Sequence, residues 1–209
     1  MRGKTGIIMM VLGAALLCGA LLLFLSNEKE SSTAQAAAVS VMPRLVQQIQ
    51  QNRAQEAEPD LTEDLLVPVE LLTDEDVQMT ETTIDGNGYI GYLSMPDLGL
   101  ELPVIGSWSY RKLNIAPCRY TGSLRGEDLV IMAHNYRSHF GKLSQLRIGD
   151  ELTFTDMDGK VTHFAVMAKN VLPPTAVEEI TSGEYDLTLF TCTYGGASRV
   201  TVFCDKVTE

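Results

Sequence analysis

A mainly β domain that closes into a barrel of seven or eight short strands, with short helices and an apolar helix ahead of it, is the architecture the sequence predicts. Three observations carry this. From Ile84 onward, brief apolar runs follow one another, each closed by Gly, Pro or Asp, which is the texture of closely spaced strands. Ile7 to Leu25 is unbroken apolar or small sequence, IIMMVLGAALLCGALLLFL. Between the two, residues 26–83 are polar, first rich in Ala and Gln and then acidic, and offer little to build a core.

The apolar stretch comes first in order. Its length, at about 1.5 Å per residue, spans the roughly 30 Å of a bilayer's hydrocarbon. Arg2 and Lys4 precede it and Glu28 and Glu30 follow, so the positive-inside rule puts residues 1–6 in the cytoplasm and everything after the span outside. The Ala-rich tract Thr33 to Ala38 keeps a cleaved signal peptide as the competing reading. The run is long for such a peptide, which favours an uncleaved anchor at residues 7–25 and a single-pass cell-membrane protein. Residues 26–83 then read as a linker, partly helical or disordered. Within it a weak helical period (Leu45, Val46, Ile49) suggests a stalk that holds the domain off the lipid. Asp60 to Asp76 is acidic with scattered Leu and Val, fit for a docking helix or for disorder.

The domain proper is residues 84–209. Tyr89 to Ser94 is a strand, turned by Met95-Pro96-Asp97-Leu98-Gly99. Leu102 to Ile105 is the next, and Pro103 argues for an edge position. Leu129 to Ala133 is a buried strand, and His139 to Leu146 a short helical turn closed by Gly149-Asp150. Glu151 to Thr155 and Lys160 to Val171 form a hairpin across Asp156 to Gly159. Asp186 to Thr193 and Arg199 to Lys206 are the last two strands, joined by a loop containing Gly195-Gly196.

A formal charge of −11 with no basic cluster excludes a nucleic-acid partner, because phosphate binding needs grouped Lys and Arg. Of the four cysteines, Cys18 lies in the apolar span, leaving Cys118, Cys192 and Cys204 outside. An odd set in an exported domain means at least one free thiol; Cys118 and Cys204 are able to pair or to stay free and buried.

Chemistry concentrates at Thr188-Leu189-Phe190-Thr191-Cys192. The strand delivers a cysteine to its C-terminal end, and the returning strand begins at Arg199, so a guanidinium comes beside a thiol. A thiolate needs a nearby cation, and a developing oxyanion needs a donor. A nucleophilic cysteine also needs a base. His134 directly follows the strand Leu129 to Ala133 and shares the strand-end position. His139 falls in the following loop and His163 in mid-strand.

Those residues resemble the sortases, cysteine transpeptidases of Gram-positive cell surfaces. The family's Thr-Leu-x-Thr-Cys stands here as Thr188 to Cys192, with His134 before it and Arg199 after it in family order. Tyr89-Ile90-Gly91-Tyr92-Leu93, Pro96, Leu102-Pro103-Val104, Phe140-Gly141-x-Leu143 and Leu146-x-x-Gly149-Asp150 are further landmarks, and the likeness runs from about Tyr89 to Val207. It departs at Ala133, where many members have Gly. The short Cys192–Arg199 loop, the short Leu172–Asp186 segment and the lack of an Asp-Pro-aromatic tripeptide before the domain favour class D or a compact class B-like member over the pilus-type class C.

The resemblance implies a sortase-type barrel and a thiol endopeptidase and transpeptidase. Cys192 would attack an LPxTG-like sorting signal, His134 would shuttle the proton, and Arg199 would steady the oxyanion. The thioacyl enzyme would then pass to an amine of a peptidoglycan precursor or a pilin. Thr191 would bond the substrate backbone or hold the strand end. Leu172, Val177 and Ile180, with Val171 and Ala176, would line the substrate groove. No cofactor or metal is expected: the acids Glu127-Asp128 and Glu178-Glu179 read as solvated charge rather than a calcium site. Two rival readings compete with this one. L,D-transpeptidases place a second histidine beside the nucleophile, and none is near Cys192. A membrane-tethered binding module with an inert core cysteine is the other.

Overall fold

A computed structural model describes residues 2–56 and 79–207; the acidic segment Asp60 to Asp76 lies outside the described residues. The chain runs α1 (Arg2–Glu56), β1 (Thr82–Ile84), β2 (Asn87–Met95), β3 (Leu100–Ile105), α2 (Tyr110–Leu113), β4 (Cys118–Thr121), β5 (Leu129–Ala133), β6 (Glu151–Asp156), β7 (Val161–Leu172), α3 (Val177–Ile180), β8 (Leu187–Cys192) and β9 (Arg199–Lys206). The strands form one sheet in the order β1-β2-β3-β4-β5-β8-β9-β7-β6, and β2 also pairs with β6. That last pairing closes β2 to β9 into an eight-stranded barrel. β1 is a short hairpin extension of β2 across Asp85-Gly86, both with positive φ, as a two-residue type I′ turn requires.

Closure depends on Gly91. It pairs with Asp156 at the β2–β6 seam, at φ +142, and a Cβ there would stand 2.1 Å from the Thr155 carbonyl oxygen. Pro103 sits where its missing N–H does no harm, because β3 meets β4 through the single pair Ile105↔Cys118. Barrel closure buries Leu93, Val104, Ile131, Phe154, Phe164 and Val202 in one interior cluster. The 3-10 turn Phe140–Gln145 plugs it with Phe140 and Leu143.

Residues 26–56, the described part of the segment read as a partly helical or disordered linker, continue the apolar helix and lie on the barrel. Ser31, Ala34, Ala38, Val41, Leu45 and Ile49 are all buried, a helical stripe at spacings of three and four residues. Val41, Leu45 and Ile49 pack with Ile84, Tyr89, Ile105, Cys118 and Met157. Asn52 Nδ2 donates to the Met157 carbonyl at 2.9 Å, and Arg44 pairs with Asp85 at the surface. The stripe begins with Ser and Ala, which carry little hydropathy, so only its Leu45–Ile49 end stood out in sequence. Along residues 7–25 the same helix exposes its apolar side chains and is a candidate membrane span by length and composition.

Cys118 and Cys204 are both free and buried, in different clusters. Burial pushes the Cys118 thiol up to about 12 and the Cys204 thiol higher still.

His139 is fully buried. Burial first, and the neighbouring His134 second, push it down to about 4. The folded state therefore binds fewer protons than the unfolded chain between about pH 6.5 and 4. The stability this confers is complete above pH 6.5 and is lost as the pH falls, by roughly 3 kcal/mol at the lower limit. Thermal melts across that range should show a shallower acid loss for His139→Phe than for the wild type; parallel curves would remove His139 as the cause.

Candidate active site

Register brings the three sequence-predicted residues to one place. β5 and β8 run parallel with Ala133 opposite Thr191, so His134 and Cys192 each follow a paired residue on neighbouring strands, whose spacing is about 4.8 Å. β9 returns antiparallel with Arg199 directly opposite Cys192. Alternation then sorts the faces. Leu187, Leu189, Leu129, Ile131 and Ala133 enter the barrel interior, whereas Val130, Phe190 and Phe203 pack outside it with Leu172 and Ile180. Cys192 and Arg199 continue the outer row at the strand ends.

Thr191 belongs to the inner row. It is buried and its Oγ1 donates to the Ala133 carbonyl at 2.8 Å. Of the two roles expected for it, holding the strand end is the one its geometry serves, and it does not line the outer groove. The bond ties together the two strand ends that carry His134 and Cys192.

The β8–β9 connection is a closed loop. Thr193 N–H donates to the Ser198 carbonyl at 2.9 Å, and Ser198 N–H donates to Thr193 Oγ1 at 3.0 Å. Gly195 and Gly196 hold φ of +78 and +75, a turn open to glycine. Arg199 Nη1 donates back to the carbonyls of Gly196 and Ser198 at 3.0 and 3.1 Å, so its guanidinium is oriented by the loop beside an exposed Cys192.

His134 is framed from three sides. Its Nε2 lies 3.0 Å from Asn114 Oδ1, at the end of α2, which Ser109 caps by accepting from Lys112 N–H at 3.2 Å. Its ring stacks at 4.8 Å on Tyr136, which in turn lies 5.6 Å from His139. Tyr136 Oη donates to Glu30 Oε2 of α1 at 3.2 Å. Burial lowers the His134 imidazole below its usual value, and the Glu30 carboxylate opposes this. The neutral ring is thereby favoured at neutral pH, with an anion nearby to limit the shift.

Beside Arg199 a cavity of about 130 Å³ is lined by Tyr120, Met132, Pro174, Val177, Ile180 and Phe190. Val177 and Ile180, expected to line the substrate groove, line this cavity. Leu172 packs beneath it against Val130, Phe190 and Phe203, and Val171 is exposed. Phe190 and Met132 were missed, although each lies two residues before Cys192 or His134 on the same strand face. Tyr120 and Asn114 gave no signal, because they arrive from elements far off in sequence. Of the acids considered for calcium, Glu127 pairs with Lys206 at 2.7 Å and Asp128 accepts from the Ser123 N–H at 2.9 Å. Among the described residues no group of three or more His, Cys, Asp or Glu is placed to hold a metal.

An exposed thiol, a framed imidazole and an oriented guanidinium around an apolar groove suit nucleophilic acyl transfer. Comparison with known proteins agrees. The sortase-domain family model matches residues 93–207. Among solved structures, sortase C1 of Streptococcus suis is 27% identical, with 58% of this chain and 74% of that chain covered and a TM-score of 0.52. Sortase C of Streptococcus pneumoniae is 20% identical over 82% of this chain and 96% of its own, TM-score 0.56. Sortase C of Clostridium perfringens, solved with the C-terminal cell wall sorting motif, is 20% identical over 79% and 88%, TM-score 0.53. The curated proteins contain no match. The family match covers more than half of the chain and the fold is the same closed barrel, so the chain belongs to the sortases, the cysteine transpeptidases.

Proposed function

We propose that the protein is a membrane-anchored sortase that cleaves an LPxTG-like sorting signal and transfers the released carboxyl end to an amine of the cell wall or of a pilin. The observation that carries this is the register pairing Cys192 with Arg199 and setting His134 at the neighbouring strand end. Cys192 attacks the Thr–Gly carbonyl as thiolate. The C–S bond forms, the C–N bond breaks, and imidazolium His134 gives its proton to the departing amine. Arg199 and a backbone N–H stabilise the oxyanion. An incoming amine then attacks the thioacyl carbonyl, His134 takes its proton, and Cys192 leaves as thiolate.

Because burial favours neutral His134, only part of the free enzyme stands ready to protonate the leaving amine at neutral pH. The substrate's Leu and Pro fit the groove of Tyr120, Met132, Val177, Ile180 and Phe190. The candidate span at residues 7–25 is the anchor, with the barrel on the outer side by the charge asymmetry. The short closed β8–β9 loop and the four-residue α3 favour class D or a compact class B-like member. Calcium has no part in this reading.

A thiol-directed vinyl sulfone at pH 7 should label the folded domain once, at Cys192, because Cys118 and Cys204 are buried. A folded protein that leaves Cys192 unmodified sinks the catalytic reading and favours an inert binding module. Arg199→Lys should reduce kcat/KM for peptide cleavage about 100-fold or more, since the loss of one oxyanion donor costs about 2.7–4 kcal/mol and lysine lacks the planar fork. Near-normal turnover would take Arg199 out of the mechanism. Ile180→Asp should raise KM for an LPxTG-like peptide by at least about 10-fold through a charge in the apolar groove, whereas an unaltered KM would place the peptide elsewhere.

A further inference from the structure

A second cavity, of about 430 Å³, is walled by the two residues that frame His134 and by α1. Ser26, Lys29, Glu30 and Thr33 face Asn114 and Tyr136 across it. Asn114 is the residue bonded to His134 Nε2, and Tyr136 is the ring stacked on His134. The space is therefore bounded by the neighbours of the base and shares no lining residue with the apolar groove. Glu30 supplies a carboxylate at its wall, held in place by the Tyr136 hydroxyl at 3.2 Å. Ser26, on the cavity's rim, follows directly on Leu25, the end of the apolar stretch. Glu30 stands one helical turn, about 6 Å, beyond that point.

From this geometry we propose that the cavity is the entry site for the acceptor amine, and that Glu30 receives its ammonium. This rests on the transpeptidase reading above. The chemistry suits it. The donor peptide occupies the apolar groove beside Arg199, so an acceptor has to approach from the other side, where His134 takes its proton. A primary amine arrives protonated, and a carboxylate accepting from N⁺–H is its strongest receptor. It gives up one proton to solvent. As its nitrogen forms the C–N bond it gives a second to His134, and the C–S bond breaks to release the Cys192 thiolate. The charged and titratable groups acting on His134 or lining the cavity are Glu30 and Lys29 from α1, Tyr136, and His139 from the turn. Glu30 is the anion among them. The acceptor class that matches is a primary amine presented at the membrane surface, because the anchor helix itself forms the site's wall.

The test uses the full chain in detergent, an LPxTG-like peptide as donor, and two acceptors. Nα-acetyl-lysine amide is charged at pH 7, and hydroxylamine is largely neutral. Glu30→Gln should raise KM for the lysine acceptor about 10-fold, as expected for one lost charge-assisted hydrogen bond, with a much smaller change for hydroxylamine. Tyr136→Phe, which keeps the ring and frees the carboxylate, should move in the same direction by less. Glu28→Gln removes the same charge from the helix face that borders Arg137 and Lys142 and is the control. Equal KM values for wild type and Glu30→Gln overturn the site. So does an equal effect of Glu28→Gln, or an equal loss with both acceptors, which would mean that Glu30 acts through His134. A wild-type chain that forms no product with either acceptor overturns the transpeptidase reading itself, and the site with it.

Discussion

The parallel ladder between Leu129–Ala133 and Leu187–Cys192 is the constraint on which the rest of the molecule depends. It joins strands that the chain separates by the 3-10 turn, the β6–β7 hairpin and α3. A parallel pair needs such a crossover, and the barrel interior supplies the apolar burial that holds it together. One residue of slip would turn Cys192 inward and Thr191 outward, since side chains alternate across the sheet. The Thr191–Ala133 hydrogen bond sits at the last pair of the ladder, where slip or fraying would start. The threonine before the cysteine thus fixes which face the thiol occupies.

Around that ladder the two sides of the site differ in origin and chemistry. On the Arg199 side, the wall is apolar and comes from strand faces and from the α3 segment. On the His134 side, it is polar and comes from α1, α2 and Tyr136. Between them the imidazole is dry enough to prefer neutrality, yet it lies near one carboxylate. On the proposed transpeptidase reading, the ring donates a proton in one half-reaction and accepts one in the next, which needs an environment that forces neither state. Burial and Glu30 pull in opposite directions here, which keeps both states within reach.

Much of the barrel was legible because its strands carry period-two alternation and its turns carry Gly, Pro and Asp. β2, β5, β8 and β9 fell within a residue or two of their expected limits. The juxtaposition of Cys192, His134 and Arg199 was legible too, because all three sit at strand ends, where local pattern implies proximity. β1, β4 and α2 were missed. Each is four residues or fewer, too short to display a period, and β4 is set by its partners. Residues 26–56, read as part of a partly helical stalk, form a helix that also packs on the barrel. Its buried stripe opens with Ser31, Ala34 and Ala38, residues whose value lies in letting the helix approach closely rather than in hydropathy. Asn114 and Glu30 had no sequence signal at all, since their roles come from the docking of helices onto the barrel.

That docking also changes what the N-terminal segment does. A flexible stalk would let the domain sample many heights and tilts above a bilayer. A continuous helix from the apolar stretch to the Asn52–Met157 contact instead transmits one orientation. Ser31 meets Ser138, whose Oγ donates to the Ser31 carbonyl at 3.0 Å, within two helical turns of Leu25. The strand ends carrying His134 and Cys192 therefore face the same end of the molecule as the candidate span. On the anchored reading, catalysis takes place at the membrane surface, and a substrate tethered there is already confined to the layer in which the site is held. Such confinement raises effective concentration without any new contact. On that reading it works only while the helix stays docked, and the small residues of the buried stripe would serve the site as well as the fold.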